Sequence, residues 1–137
     1  MKTILQIALL ISPALLSLGC GPSFSDTTVK GAVRFQGESL TTGQVVIEAN
    51  GRAYVAPIID GQYNVQTPSS VPFPPGDYKV TVIPPDPKTA IDPKSGEIVI
   101  VERVDESKFP RRYRKLETSG LVVEIVAGEN IFDIEMK

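Results

Sequence analysis

The chain reads as an all-β domain, a sandwich of about seven short strands behind an N-terminal leader. Three observations predict this. Apolar and polar residues alternate with period two in short runs. Twelve Pro and eleven Gly punctuate the intervals between those runs. Beyond the leader, no segment carries an apolar 3.6-residue period long enough for a helix. Short strands separated by turns every 8–12 residues or so are the pattern of a β-sandwich.

The leader comes first. Lys2 is the only charge before Asp26, and Ile4 to Leu18 is almost wholly apolar. That run is shorter than the roughly 20 residues a bilayer-spanning helix needs. A positive start, a short apolar core and small residues at its end describe a secretory signal. It closes as Leu16-Ser17-Leu18-Gly19-Cys20, which resembles the lipobox of bacterial lipoproteins, with Ser17 and Leu18 exchanged relative to the usual order. Cys20 is the only cysteine of the chain, so it has no partner for an internal disulfide. Acylation would remove an exposed thiol from an oxidising compartment. The expected organisation is a signal peptide over 1–19, a lipidated Cys20 and tether over 20–27, and one domain over 28–137. More than one acyl chain would hold such a domain stably at a membrane. Gly21, rather than Asp, after the cysteine favours the outer over the inner membrane of a bacterial envelope.

The strands follow in order. Thr28 to Phe35 alternates, with Val29, Gly31, Val33 and Phe35 on one face and Lys30 and Arg34 on the other. Residues 36–40 form a turn, with Leu40 tucked back onto the core. Gln44 to Ala49 is the second strand. Asn50-Gly51 suits a two-residue hairpin turn, because both residues tolerate positive φ. Arg52 to Ile59 is the third strand, and Pro57 marks it as an edge or a bulge. Asp60-Gly61 repeats the tight turn before Gln62 to Thr67. A proline-rich loop over 68–76 leads to the strand Asp77 to Ile83. Leu121 to Val126 and Ile131 to Met136 are expected to close the domain as a last hairpin.

One stretch breaks the rhythm. Residues 84–118 form a connection longer than most. It opens Pro84-Pro85-Asp86-Pro87. Glu97 to Glu102 within it reads as an extra strand or a short amphipathic helix, and its β-branched residues favour the strand. This insertion is the candidate for a protein-specific surface.

Several of these motifs resemble a known family. Val29-Lys30-Gly31-Ala32-Val33, Gly37 and Leu40-Thr41-Thr42-Gly43 are similar to the opening of carboxypeptidase regulatory-like domains. Asp60-Gly61-Gln62-Tyr63 resembles their D-G-x-Y turn, and Pro75-Gly76-Asp77-Tyr78-Lys79-Val80 their P-P-G-x-Y-x-V run. Residues 109–113, 118–121 and 128–132 resemble small lipoproteins of planctomycete bacteria. The resemblance implies a transthyretin-like (prealbumin-like), Greek-key, Ig-like sandwich of seven strands. It implies little function, because these are turn and core signals. The hydrolase of the transthyretin-like fold uses His residues, and this chain has none.

The absence of His and the placement of Cys20 leave no Ser/His/Asp or Cys/His arrangement, and no imidazole or thiolate metal site. No enzyme activity, cofactor or metal is expected. Asp86, Asp92 and Glu97 fit no Ca²⁺ loop spacing and read as solvated turn carboxylates. A formal net charge of −2 gives no footprint for nucleic acid. Lys108, Arg111, Arg112, Arg114 and Lys115 concentrate positive charge at the end of the insertion, around Tyr113. They are the candidate binding residues, for anionic lipid or an acidic polysaccharide. Asp105, Glu106 and Glu117 flank them, so a solvated loop is the competing reading. Phe109 and Tyr113 are expected to anchor that loop, and Tyr54 and Tyr113 are the aromatics placed for a ligand. The expected function is a lipid-anchored, non-enzymatic envelope module with a structural or protein-interaction role. The alternative is a carbohydrate- or peptide-binding lipoprotein that uses residues 84–118.

Overall fold

Strand β1 (Thr28–Phe35) is the spine on which the first sheet is assembled. The computed structural model describes residues 27–67 and 73–137, so the leader and Cys20 lie outside the described residues. After β1 come β2 (Glu38–Ser39), β3 (Gln44–Ala49), β4 (Arg52–Pro57), β5 (Gln62–Gln66) and β6 (Gly76–Ile83). Then follow β7 (Lys88–Ile91), β8 (Ile98–Glu102), β9 (Leu121–Ile125), β10 (Glu129–Ile131) and β11 (Ile134–Met136).

The first half of β1 pairs antiparallel with β5 and parallel with β10. Its second half pairs antiparallel with β2 and parallel with β11. The second sheet has the order β4-β3-β6-β9, every pair antiparallel. Strands β7 and β8 form a separate two-stranded ribbon. The fold is therefore all-β and sandwich-like, as expected. Its eleven described strands exceed the expected seven. The surplus comes from the short β2, the ribbon within the insertion, and a final strand broken in two.

Period-two alternation directs the apolar residues between the sheets. Val29 and Val33 of β1, Val45 and Ile47 of β3, Val80 and Val82 of β6, and Ile134 and Met136 of β11 are all buried. An aromatic group closes one side of this core. Tyr54 stacks on Phe73 with ring centroids 4.2 Å apart, and Tyr78 meets the Phe73 ring edge-on at 5.3 Å. Both expected tight turns form, with positive φ at Asn50 and Gly51 (52° and 73°) and at Asp60 and Gly61 (50° and 78°). Strand β4 is an edge strand, which accommodates Pro57.

The expected closing hairpin does not form. Strand β9 pairs with β6, whereas β10 and β11 cross to the other sheet beside β1. Asn130 fixes the crossover. Its Oδ1 accepts from the Val126 amide at 2.9 Å. Its Nδ2 donates to the carbonyls of Val126, Gly128 and Thr28 at 2.8, 3.1 and 3.2 Å. A single buried amide thereby satisfies the backbone that a hairpin ladder would otherwise pair. The final strand breaks at Phe132–Asp133, where the Asp133 carboxylate accepts the Ala32 amide at 2.8 Å.

Candidate functional site

The insertion gathers at one end of the sandwich. Ile83 pairs with Gln44, so the chain leaves β6 beside the start of β3. Leu40, which donates its amide to the Val33 carbonyl, marks the same end of β1. Leu40, Thr41 and Thr42 line a hollow of about 410 Å³ with Pro85, Lys88 and Phe109 of the insertion. Thr28, where the chain enters the domain, pairs with Glu129 at the opposite end of β1. Eight residues of β1 separate the two poles, about 25 Å of extended chain.

Two aromatic residues fasten the insertion, as the sequence suggests. Phe109 is buried, and its ring packs where a Cβ on Gly43 would stand. Tyr113 is buried, and its hydroxyl accepts from the Lys137 amide at 3.2 Å. Tyr113 and Tyr54 both lie in the core, so neither is a surface aromatic for a ligand. Burial works to raise the Tyr113 phenol. The Arg112 hydrogen bond and the Lys137 amide outweigh it and leave the phenol below its ordinary value.

The five cations have separate fates. Lys108 reaches Glu38 at 3.6 Å. Arg114 is held on three sides, by the Phe109 carbonyl at 2.7 Å, the Glu106 carboxylate at 2.6 Å and the Glu106 carbonyl at 3.1 Å. Arg112 lies over the Tyr113 ring, 4.4 Å from its centroid, and donates to the Tyr113 hydroxyl. Arg111 and Lys115 are exposed. Arg111, Arg112, Arg114 and Lys115 line a shallow concavity of about 500 Å³ together with Thr118. Lys108 lines the other hollow instead. Asp105 caps the 3-10 turn Glu106–Lys108 by accepting the Ser107 amide, and the Ser107 side chain first, then this amide, hold its carboxyl below the usual range. The flanking acids Asp105 and Glu106 are thus occupied locally.

The ribbon of β7 and β8 is the other feature of this pole. The segment 97–102 is a strand from Ile98 onward. Every residue of both strands is exposed, including Ile91 at 70% and Ile98 at 76%. A run of four aliphatic residues reads as a buried strand from sequence alone, so periodicity gave no signal that this one faces outward. Asp92 of the ribbon turn accepts the Lys94 amide at 2.7 Å. Among the described residues, no group of three His, Cys, Asp or Glu side chains is placed to hold a metal ion. No helix among them is long and apolar enough to cross a membrane.

No family model matches the chain, and no curated protein matches it. Among solved structures, it is similar to a DUF3823 family protein from Bacteroides ovatus ATCC 8483. The identity is 16% and the TM-score 0.40, over 80% of this chain and 43% of that one. It is also similar to a 9R-lipoxygenase from Cyanothece PCC8801, at 10% identity and a TM-score of 0.38, over 84% of this chain and 17% of that one. The chain thus spans less than half the length of either protein.

Proposed function

We propose that the protein is a lipid-anchored, non-enzymatic module of the bacterial envelope that presents its insertion to a protein partner. The observation that carries this reading is the exposed β7–β8 ribbon. An isolated two-stranded ribbon is marginal in water. This one keeps aliphatic residues on its surface and leaves an edge of each strand open among the described residues. Strand addition by an extended apolar segment of another protein is the recognition mode that such edges suit. The position of the ribbon supports the same reading. Lipid on Cys20 would tether the domain through Thr28, and the ribbon stands at the other pole. We also read the domain as carboxypeptidase regulatory-like. In support, the D-G-x-Y motif forms a positive-φ turn at Asp60-Gly61 with Tyr63 buried behind it, and Tyr78 of the second motif is in the core.

The test is photo-crosslinking in the native envelope from a reactive residue at Ile98, with Glu48 in the sandwich as a control. An adduct with a second protein from position 98 and none from position 48 is the expected result. Equal labelling from both positions, or none from 98, contradicts the proposal. The alternative, a ligand-binding lipoprotein, is favoured by one specific observation, the concavity lined by four cations.

A further inference from the structure

We infer that the concavity formed by Arg111, Arg112, Arg114, Lys115 and Thr118 is an anion-binding site for a phosphate or carboxylate group. It deepens the ligand-binding alternative above by assigning the chemistry of the ligand. Among the described residues, four of the five that line it are cations and none is a carboxylate. Among the described residues, Arg114 is the only one of the four in an ion pair, with Glu106 at 2.6 Å. Within those residues, the charges of Arg111, Arg112 and Lys115 have no ion-pair partner. Like charges repel when drawn together, so the cluster persists because two of its members are built in. Tyr113 holds Arg112 by stacking, and the Phe109 carbonyl and Glu106 hold Arg114. Thr118 donates to the Arg112 carbonyl at 2.7 Å and braces the same turn. The loop that carries them is pinned to the core by Phe109 and Tyr113.

This arrangement suits an oxyanion. A planar guanidinium offers paired donors that match phosphate and carboxylate oxygens, and little side-chain freedom remains to be lost at Arg112 and Arg114. Arg111 and Lys115 are exposed and free to close on the bound group. A volume near 500 Å³ falls within the range of small-molecule sites. If Cys20 carries the lipid, the site lies at the pole away from the anchor. That orientation favours an acidic group on an envelope polymer over a headgroup of the anchoring membrane.

The experiment titrates the full chain in neutral detergent with inorganic pyrophosphate and follows backbone and arginine side-chain NMR signals. Saturable shifts confined to residues 111–118 are expected, with affinity falling as salt is raised. The Arg111→Gln/Lys115→Gln double variant should bind about tenfold more weakly or worse, with an unchanged melting temperature, because both side chains are exposed. Vesicles of phosphatidylcholine with and without phosphatidylglycerol distinguish the source. Variant-sensitive binding to the anionic vesicles assigns a lipid headgroup. Pyrophosphate binding together with vesicle association that neither phosphatidylglycerol nor the double variant alters assigns a soluble or polymeric anion. Shifts elsewhere on the domain, or equal affinity in the double variant, would overturn the site. Failure of crosslinking at Ile98 leaves this result unaffected, so the two readings fail separately.

Discussion

Gly31 and Phe132 face each other where β1 meets the broken last strand. A Cβ on Gly31 would stand 2.0 Å from the Phe132 carbonyl oxygen. That carbonyl accepts the Tyr63 hydroxyl at 2.7 Å, and the Phe132 amide donates to the Lys30 carbonyl at 2.9 Å. The glycine is thus a steric requirement of the strand break. Because the obstructing atom is backbone, it cannot move aside as a flexible side chain would. Gly31→Ala should destabilise the domain by about 3 kcal/mol or more, the upper end for overpacking. Urea denaturation measures this, and a loss under 1 kcal/mol or so would show that the break relaxes easily.

Tyr63 supplies the partner of the same carbonyl. Tyr63→Phe should cost about 1 kcal/mol, because the part-buried Phe132 carbonyl is left without its donor. Burial first, and then the Asp133 carboxylate, push the Tyr63 phenol well above its ordinary value of 10.0. The folded state therefore favours the neutral phenol. That contribution is full below pH 10.0 and is lost as pH rises above it. The wild-type chain should lose stability more steeply than Tyr63→Phe above that pH, as followed by denaturation midpoints. Parallel curves would contradict the assignment.

The insertion should divide into an anchor and an arm. Phe109→Ala removes a buried ring and should cost about 3–5 kcal/mol. Ile98→Thr and Ile100→Thr change exposed residues and should stay within about 0.5 kcal/mol. Comparable losses at Phe109 and Ile98 in thermal melts would mean that the ribbon is covered by its own chain.

Amide exchange should show the same division. The β7–β8 ladder is exposed along both strands and should exchange far faster than the amides of β3 and β6. Equal protection would indicate that the ribbon is held by contacts beyond its own pairing.

Much of the sandwich was legible in the sequence because local chemistry dictates it. Alternation placed β1 and β3, and the positive-φ pair Asn50-Gly51 placed the β3–β4 hairpin. Asp60-Gly61 placed a tight turn, though that turn passes the chain from β4 to β5 in the other sheet instead of joining a paired hairpin. The expected closing hairpin is absent because strand pairing is a long-range property. The four-residue gap 127–130 suits a hairpin, and nothing local reveals that Asn130 turns the chain to the other sheet. The split at Phe132–Asp133 depends on Gly31, about a hundred residues away, and was equally hidden. In the candidate site, the cationic run was visible. The sequence did not show that Arg114 pairs with Glu106 while Arg111 and Lys115 have no ion pair among the described residues, because that follows from the 3-10 turns.

Tethering through Cys20 can be checked by mass spectrometry of the protein isolated from membranes of its native host, beside a Cys20→Ala form. The expected result is a chain that begins at Cys20 and carries acyl mass, with the variant released from the membrane. An unmodified chain that begins elsewhere and is found free of membranes would contradict it.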